Sequence, residues 1–586
     1  MRHFAACLLQ LFSAPRSSFL LTSLFAILHK RDIAQRQCRH LLTTRLASRF
    51  CPLNYFYSKI CTDFPATLLI PKDHRGEGCA LRCWAKPTES HVTESSSSPH
   101  QGYPDARAPP PHTSVDECVA HQLQMTQPAA PSNFSSPPGR RMRENALQLK
   151  ATQPAALATR FARFWAHIRT SLFWMVVIAF TLRLGAIVVM HSYRFRAAEA
   201  NFGFGWEMGR VARAIAAGEG FSNPFHAVTG PTAWEPPLYP YLIAGVFKVF
   251  GIYSKASAFV LLTLNSLFSS LTCIPIFLIA KRCFGEKVAV GSAWTWALLP
   301  YVMYWCTRWV WETSLSALLL ALMFLLTLEM QEKDGLMPWV CFGVLWAIAA
   351  LNSPVLLSFL PVSAIWAWRQ RSKLGRRAFH GIVLASLIFF ACITPWLLRN
   401  YRIFGEFVFI RDNFGAELRL GNGPWANGTW MYYLHPTQNN YAMQQYEKMG
   451  ELAYIAERKR QALGFIQDDP SRFLRLSLKR FIYYWAGVPR SSEIPQLAQT
   501  KNSLFLASSV LAFWGLGRAL RKRKFGAPLF FWLILVYPAV YYVVFPYPRY
   551  RHAIEPEIAI LGVFLITEAE KKSVTSSPVP LERATE

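Results

Sequence analysis

The sequence predicts an all-α polytopic membrane protein, a bundle of about ten transmembrane helices with two folded loops on one side. Three observations carry this. The 586 residues are 52% apolar and only 16% charged, against roughly 25% charged in a typical soluble protein. Apolar runs recur at about the 17 to 25 residues that cross a bilayer as helix. Basic clusters bound alternate ends of those runs, as cytoplasmic loops do. The net charge of +28 therefore belongs to membrane topology, and with no accompanying binding motif a nucleic-acid partner is not expected.

Taken in order, residues 1–165 stand apart. Stretches such as ESSSSPHQGYPDARAPPPH and QPAAPSNFSSPPGRR lack periodicity and read as low-complexity, disordered chain. They are either a signal anchor with a linker or a spuriously translated extension, with the natural start at Met142 or Met125. A transmembrane part follows over 166–398. Its first span, about 171–190, is preceded by RFARFWAHIR, whose charge places that end in the cytoplasm.

The loop 191–256 then lies outside. It holds an apolar stretch, 237–251, too short to cross and expected to lie at the interface. Further spans are expected at 257–280, 288–304, 313–328, 337–351, 354–368 and 379–398. A large extracytoplasmic loop, 399–502, precedes the last spans within 503–570 (503–520, 528–545, 553–566), and 571–586 is a cytoplasmic tail. Of the ends expected in the cytoplasm, KRCFGEK, RQRSKLGRR and RALRKRKF carry a clear Lys/Arg excess and QEKDG does not. Within 399–502, residues 441–466 read as one helix, and PSRFLRLSLKRFIYYWAG as an amphipathic helix on the membrane surface.

Seven of the twelve cysteines precede the first span and five are scattered through membrane segments. Their spacing supports neither a zinc site nor a disulfide framework. No cofactor is assigned, and a divalent metal remains an open question.

Ionisable groups near membrane depth are default candidates for a site, because they are costly to keep there. They gather on the outer side: Glu207, Arg210 and Glu235 in the first outer loop, Arg308 and Glu312 at the start of the span at 313, and Arg549 and Arg551 before the last span. Glu207, among Phe202, Phe204 and Trp206, would have its pKa raised by desolvation toward that of a general base; alternatively it pairs with Arg210 or caps a helix. Arg308 and Glu312 are at ion-pair spacing on a helix. Arg549 and Arg551 suit a phosphate, whose oxygens match the guanidinium fork, or ordinary anionic headgroups. Trp234, Tyr239, Trp425, Trp430, Tyr432 and Tyr433 either stack on a sugar face or pack their loops.

In order and spacing, the segments ARAIAAGEGFSNPF, AWEPPLYPYLIAGVFKVFG, WVWETSLSALLLAL and PRYRHAIEPE resemble the polyprenyl-phosphate-dependent GT-C glycosyltransferases. The nearest groups are glycosyltransferase family 39, the protein O-mannosyltransferases and the aminoarabinose transferases. The resemblance covers 206–557 and implies a GT-C-like bundle and an inverting sugar transfer from a polyprenyl-phosphate donor to a lipid, glycan or protein acceptor. It also implies Glu207 as the base, Glu312 as a shaper of the site, and phosphate-binding cations among Arg308, Arg549 and Arg551. Such a protein is expected in a bacterial inner membrane, with its site facing outward. One departure is that the mannosyltransferases carry an Asp-Glu pair where this chain has Trp206-Glu207. The competing reading is a carrier or flippase for lipid-linked saccharides, which would show internal repeats with broken spans at matched positions; no such repeat is evident.

Overall fold

The computed structural model describes residues 164–195, 203–489 and 495–575. The expected extension up to residue 163 and the end of the tail lie outside the described residues. Among the described residues the fold is all-helical, with a single isolated β-bridge between Ser222 and Pro231.

The N-terminal half runs α1 (Leu172–Val189), α2 (Glu207–Ala216), α3 (Leu238–Phe250), α4 (Lys255–Phe284), α5 (Glu286–Leu298), α6 (Pro300–Arg308), α7 (Thr313–Glu329), α8 (Met337–Asn352), α9 (Leu360–Lys373) and α10 (Phe379–Phe404). Four helices among the described residues are both long and apolar enough to cross a membrane: α1, α4, α10 and Gln499–Arg521. Four more apolar helices are shorter, namely α3, α7, α8 and Ala527–Val543. Several of the ten expected spans are thus bent or shortened, and prolines explain where. Pro300 divides the expected span 288–304, Pro354 opens a 3₁₀ turn (Pro354–Phe359) before α9, and Pro538 interrupts 528–545; each removes a backbone donor and clashes with the preceding turn.

The break at Pro300 is repaired from another helix. With no N–H on Pro300, the carbonyl of Trp296 loses its intrahelical partner. Arg183, buried on α1, donates to the carbonyls of Trp296 (3.0 Å) and Ala297 (2.9 Å) and to Ser269 Oγ (3.1 Å), tying α1, α4 and α5. Apolar burial does not drive helix association in lipid, so such polar ties matter, at about 0.6 kcal/mol each on average. The same device holds α7, which is buried along nearly its whole length: Ser316 accepts from Asn352 of α8 (2.9 Å), and Thr327 shares a hydrogen bond with Ser363 of α9 (2.6 Å).

The long loop contains α11 (Phe414–Asn422), α12 (Asn440–Met449), α13 (Glu451–Asp468) and α14 (Pro470–Ala486). The single helix expected over 441–466 is instead two, because Gly450 takes φ 77°, outside the right-handed region. The chain ends in α15 (Pro495–Arg521), α16 (Ala527–Val536), α17 (Ala539–Val543), the short α18 (Pro548–Arg551) and α19 (Glu555–Thr575).

The loop before α4 and the long loop after α10 pack together. Glu451 at the start of α13 accepts from Thr232 Oγ1, Ala233 N and Tyr446 Oη. Arg399, near the end of α10, donates to the carbonyls of Thr232 (2.7 Å) and Phe221 (2.8 Å). A small aromatic core of Phe225, Trp234, Tyr446 and Tyr454 fills the space between them.

Candidate active site

Two backbone segments hold Glu207 and Glu312 in register. Val310 N donates to Gly203 O (3.1 Å). Gly205 passes so close to the same segment that a Cβ there would lie 2.6 Å from Val310 O. Only glycine permits this approach, and its φ of 83° also suits no other residue. Trp206 follows at φ 43°, an uncommon conformation for a bulky side chain, and turns the chain so that α2 begins at Glu207. Glu312 lies two residues past Val310, immediately before α7.

Both carboxylates line one cavity of about 720 Å³. Glu235 and Trp234 from the loop before α3 join them, with Arg411, Glu417 and His435 from the long loop and Arg549 and Tyr550 from the C-terminal turn. Aromatic rings make up much of the wall: Trp206 meets Trp430 at 5.4 Å between centroids, and Trp430 meets Tyr547 at 5.8 Å.

The charge balance of this cavity is set by desolvation. Burial raises the Glu207 carboxyl above its usual range, opposed by its backbone hydrogen bond and by Arg210, Arg549 and Arg411. Burial lifts Glu235 to about 8, with Arg411 pulling the other way, and Glu417 to about 7. His435, 3.7 Å from Glu207, is driven down to about 3 by burial and by Arg210, so it is a neutral imidazole. Its Nδ1 accepts from Thr437 N (3.3 Å), leaving the proton on Nε2. Burial also works against the Arg411 cation, but Glu235 and Glu417 outweigh it. Arg411 donates to Trp234 O (3.0 Å) and lies 3.7 Å from Glu235.

Several of these groups keep unspent hydrogen-bonding capacity. Among the described residues, Glu235 Oε2, Glu312 Oε2, Glu417 Oε2 and Arg549 Nη1 are buried without a partner. Arg549 is held by stacking instead, its guanidinium 3.5 Å from the centre of the Trp311 ring. Buried polar atoms without partners are costly, by about 1–3 kcal/mol each. Their concentration around one hollow suits a polar ligand carrying both hydroxyls and negative charge.

Residues 234–398 match the sequence profile of the family described as dolichyl-phosphate-mannose-protein mannosyltransferase. The likeness to that family is confined to this stretch. The stretch carries Trp234, Glu235 and Glu312, while Glu207 and Arg549 lie on either side of it. No curated protein matches the chain in sequence. Solved structures similar to it include the oligosaccharyltransferase AglB from Archaeoglobus fulgidus, in complex with an inhibitory peptide and a dolichol-phosphate. It is 12% identical, with a TM-score of 0.36 over 72% of this chain and 53% of that one. ArnT from Cupriavidus metallidurans, bound to undecaprenyl phosphate, is 13% identical with a TM-score of 0.29 over 69% of this chain and 78% of that one. The chain thus spans about half the length of the archaeal enzyme.

The residues singled out from sequence fall into two groups. Glu207, Glu312, Trp234, Glu235 and Arg549 line the cavity, and so does Trp430. Arg210, Tyr239, Arg308 and Arg551 do not. Arg210 is close enough to Glu207 to act on its charge, and its Nη1 is buried without a partner among the described residues. Tyr239 is fully buried and donates to Asn265 Oδ1 (2.7 Å), while Asn265 Nδ2 donates to Trp309 O (3.1 Å); it ties α3 to α4. Arg308 is exposed. Arg551 spends its donors on Glu555 (2.5 Å), Ser508 (2.6 Å), Ser509 (2.6 Å) and Phe505 O (3.2 Å), which leaves no fork for a phosphate. Trp425, Tyr432 and Tyr433 are exposed.

Arg411, Glu417 and His435 were not anticipated from the sequence. For Arg411 and Glu417 the one signal was the mixture of charged and turn-forming residues in RDNFGAE, which is common in loops. As for metal, among the described residues no three His, Cys, Asp or Glu side chains are grouped to hold an ion.

Proposed function

We propose that the protein transfers a sugar from a polyprenyl-phosphate donor to a hydroxyl acceptor at the outer face of a bacterial inner membrane, with inversion and with Glu207 as general base. The observation that carries this reading is the convergence of Glu207, Glu312 and Arg549, from three distant parts of the chain, on one cavity.

In this reaction Glu207 takes the proton of the acceptor hydroxyl, whose oxygen attacks the anomeric carbon. The bond from that carbon to the phosphate oxygen breaks, and the pair of electrons leaves with the phosphate. A carboxylate desolvated as Glu207 is is a stronger base than one in water. Arg549, with an unspent Nη1, meets the charge developing on the leaving phosphate, and Arg411 is a second cation in the same cavity. Glu235, whose Oε2 is unspent, offers a sugar an acceptor oxygen. Aromatic walls keep out water that would hydrolyse the donor. One base and no covalent intermediate suffice for inversion.

The direct test is transfer from a polyprenyl-phosphate sugar in membranes by wild type and Glu207→Gln. The variant should insert and fold normally yet lose transfer. Near-normal transfer would falsify the assignment of Glu207 as base. Product of retained anomeric configuration, read by NMR, would exclude the single-displacement mechanism.

A further inference from the structure

Helix α14 differs from the other helices of the long loop in carrying an exposed apolar stripe. Leu474 (70% exposed), Leu478 (62%) and Ile482 (52%) recur every four residues, with Phe481 (43%) beside them, so they share one side of the helix. The opposite side is bound to the protein. Arg480, fully buried, donates to the carbonyls of Gly421, Tyr542 and Val543, and Leu476 and Tyr484 are buried with it. Arg475 and Lys479, both exposed, stand one position on from Leu474 and Leu478 and so form a basic edge along the stripe. The helix contains no acidic residue; the nearest carboxylate is Asp469, which caps it through Arg472 N (2.8 Å) and lies 3.6 Å from Arg475.

An apolar stripe with cationic residues on one edge fits a lipid interface, the apolar side chains entering the acyl boundary and the cations meeting headgroup phosphates. We propose that α14 seats the long loop on an anionic lipid leaflet, with Leu474, Leu478, Phe481 and Ile482 immersed and Arg475 and Lys479 on the phosphates.

The seat bears on the cavity through Arg472. Its guanidinium donates to the carbonyls of Gly423 (2.7 Å) and Pro424 (3.0 Å), gripping the chain that leads to Trp430 on the cavity wall. The Lys479 stem passes close to the same segment, its Cδ 3.3 Å from where a Cβ on Gly428 would stand. A helix held at fixed depth therefore holds one rim of the cavity at fixed height above the bilayer. This inference rests on the membrane setting and not on the transferase reading.

The experiment places an environment-sensitive fluorophore on a cysteine at 478 (Leu478→Cys) in the full chain, with Cys341 and Cys392, both exposed, and the seven cysteines that precede the first span replaced by Ser. The labelled protein is reconstituted in nanodiscs of phosphatidylcholine alone or with phosphatidylglycerol. Blue-shifted emission, quenched by lipids brominated on the acyl chain and increased by phosphatidylglycerol, is expected. Arg475→Glu with Lys479→Glu should remove the phosphatidylglycerol effect while the Leu478 label still reports the apolar seat. Emission typical of water in both lipids overturns the proposal. So does a blue shift that persists in detergent and grows with protein concentration, since a second copy would then be covering the stripe. Equal quenching with and without phosphatidylglycerol overturns the charge component.

Discussion

The buried carboxylate at the junction of the two loops and those around the cavity are treated in opposite ways. Glu451, between the two loops, accepts from Thr232, Ala233 and Tyr446, so both of its oxygens are used. Glu235, Glu312 and Glu417, around the cavity, each leave an oxygen without a partner among the described residues. The arginines divide the same way: Arg551 spends its donors on four protein groups, whereas Arg549 is stacked on Trp311 with Nη1 unspent. A satisfied buried charge rigidifies its surroundings, and an unsatisfied one is costly unless a ligand completes it. The cavity is thus where hydrogen-bonding capacity has been held in reserve, and the loop junction is where it has been consumed.

The comparison is broken most directly at Glu207. Glu207→Gln should lower transfer by roughly 100- to 10,000-fold, the usual contribution of general base catalysis, with thermal unfolding little changed; a comparable drop in melting temperature would move Glu207 to the scaffold side. Glu451→Ala should do the reverse. It strands three buried donors, costing about 1–3 kcal/mol each, and should show as early unfolding and protease cleavage in the long loop, with kcat of the surviving folded protein near normal.

Arg549→Gln should raise the KM for the lipid-linked donor roughly 10- to 100-fold, as expected for charge-assisted bonds of about 1.5–3 kcal/mol. Arg551→Gln should destabilise without moving that KM. If both variants shift it equally, the distinction between the two arginines is lost.

The pH dependence sharpens the same contrast. Burial raises the Glu207 pKa, and the base acts ionised. Transfer should therefore climb as pH rises through that raised value and fall on acidification while still above the ordinary carboxylate range. Arg549 holds the Glu207 pKa down, so Arg549→Gln should move the midpoint upward; a midpoint that stays in place would separate Arg549 from Glu207. The smallest effect is expected at Arg308, which is exposed: Arg308→Ala should leave kcat/KM within about twofold, since surface substitutions usually stay within about 0.5 kcal/mol.

Much of the fold was legible because length and composition determine which runs are membrane-compatible, and Glu207, Glu312 and Arg549 stood out as charges beside aromatic clusters. What pattern cannot supply is the direction of a side chain. Arg549 and Arg551 are two residues apart in PRYR, yet one faces the cavity and the other the α15 backbone. Tyr239 looked like a sugar platform but serves Asn265. Arg411, Glu417 and His435 were invisible because they reach the cavity only through the packing of the two loops, which rests on Glu451 and Arg399 and on contacts 167 to 219 positions apart. Broken spans were missed for a plainer reason: apolar runs were read through Pro300, Pro354 and Pro538, where the helix has to stop or bend.

The clasp between Gly203 and Val310 uses only main-chain atoms. It gauges the distance between two acids without enlisting any side chain that a ligand would touch. The rest of the wall, Trp430 among it, can accordingly be varied, by chimera or by selection, while the two acids keep their spacing. In such an architecture a new substrate range can be acquired without rebuilding the chemistry.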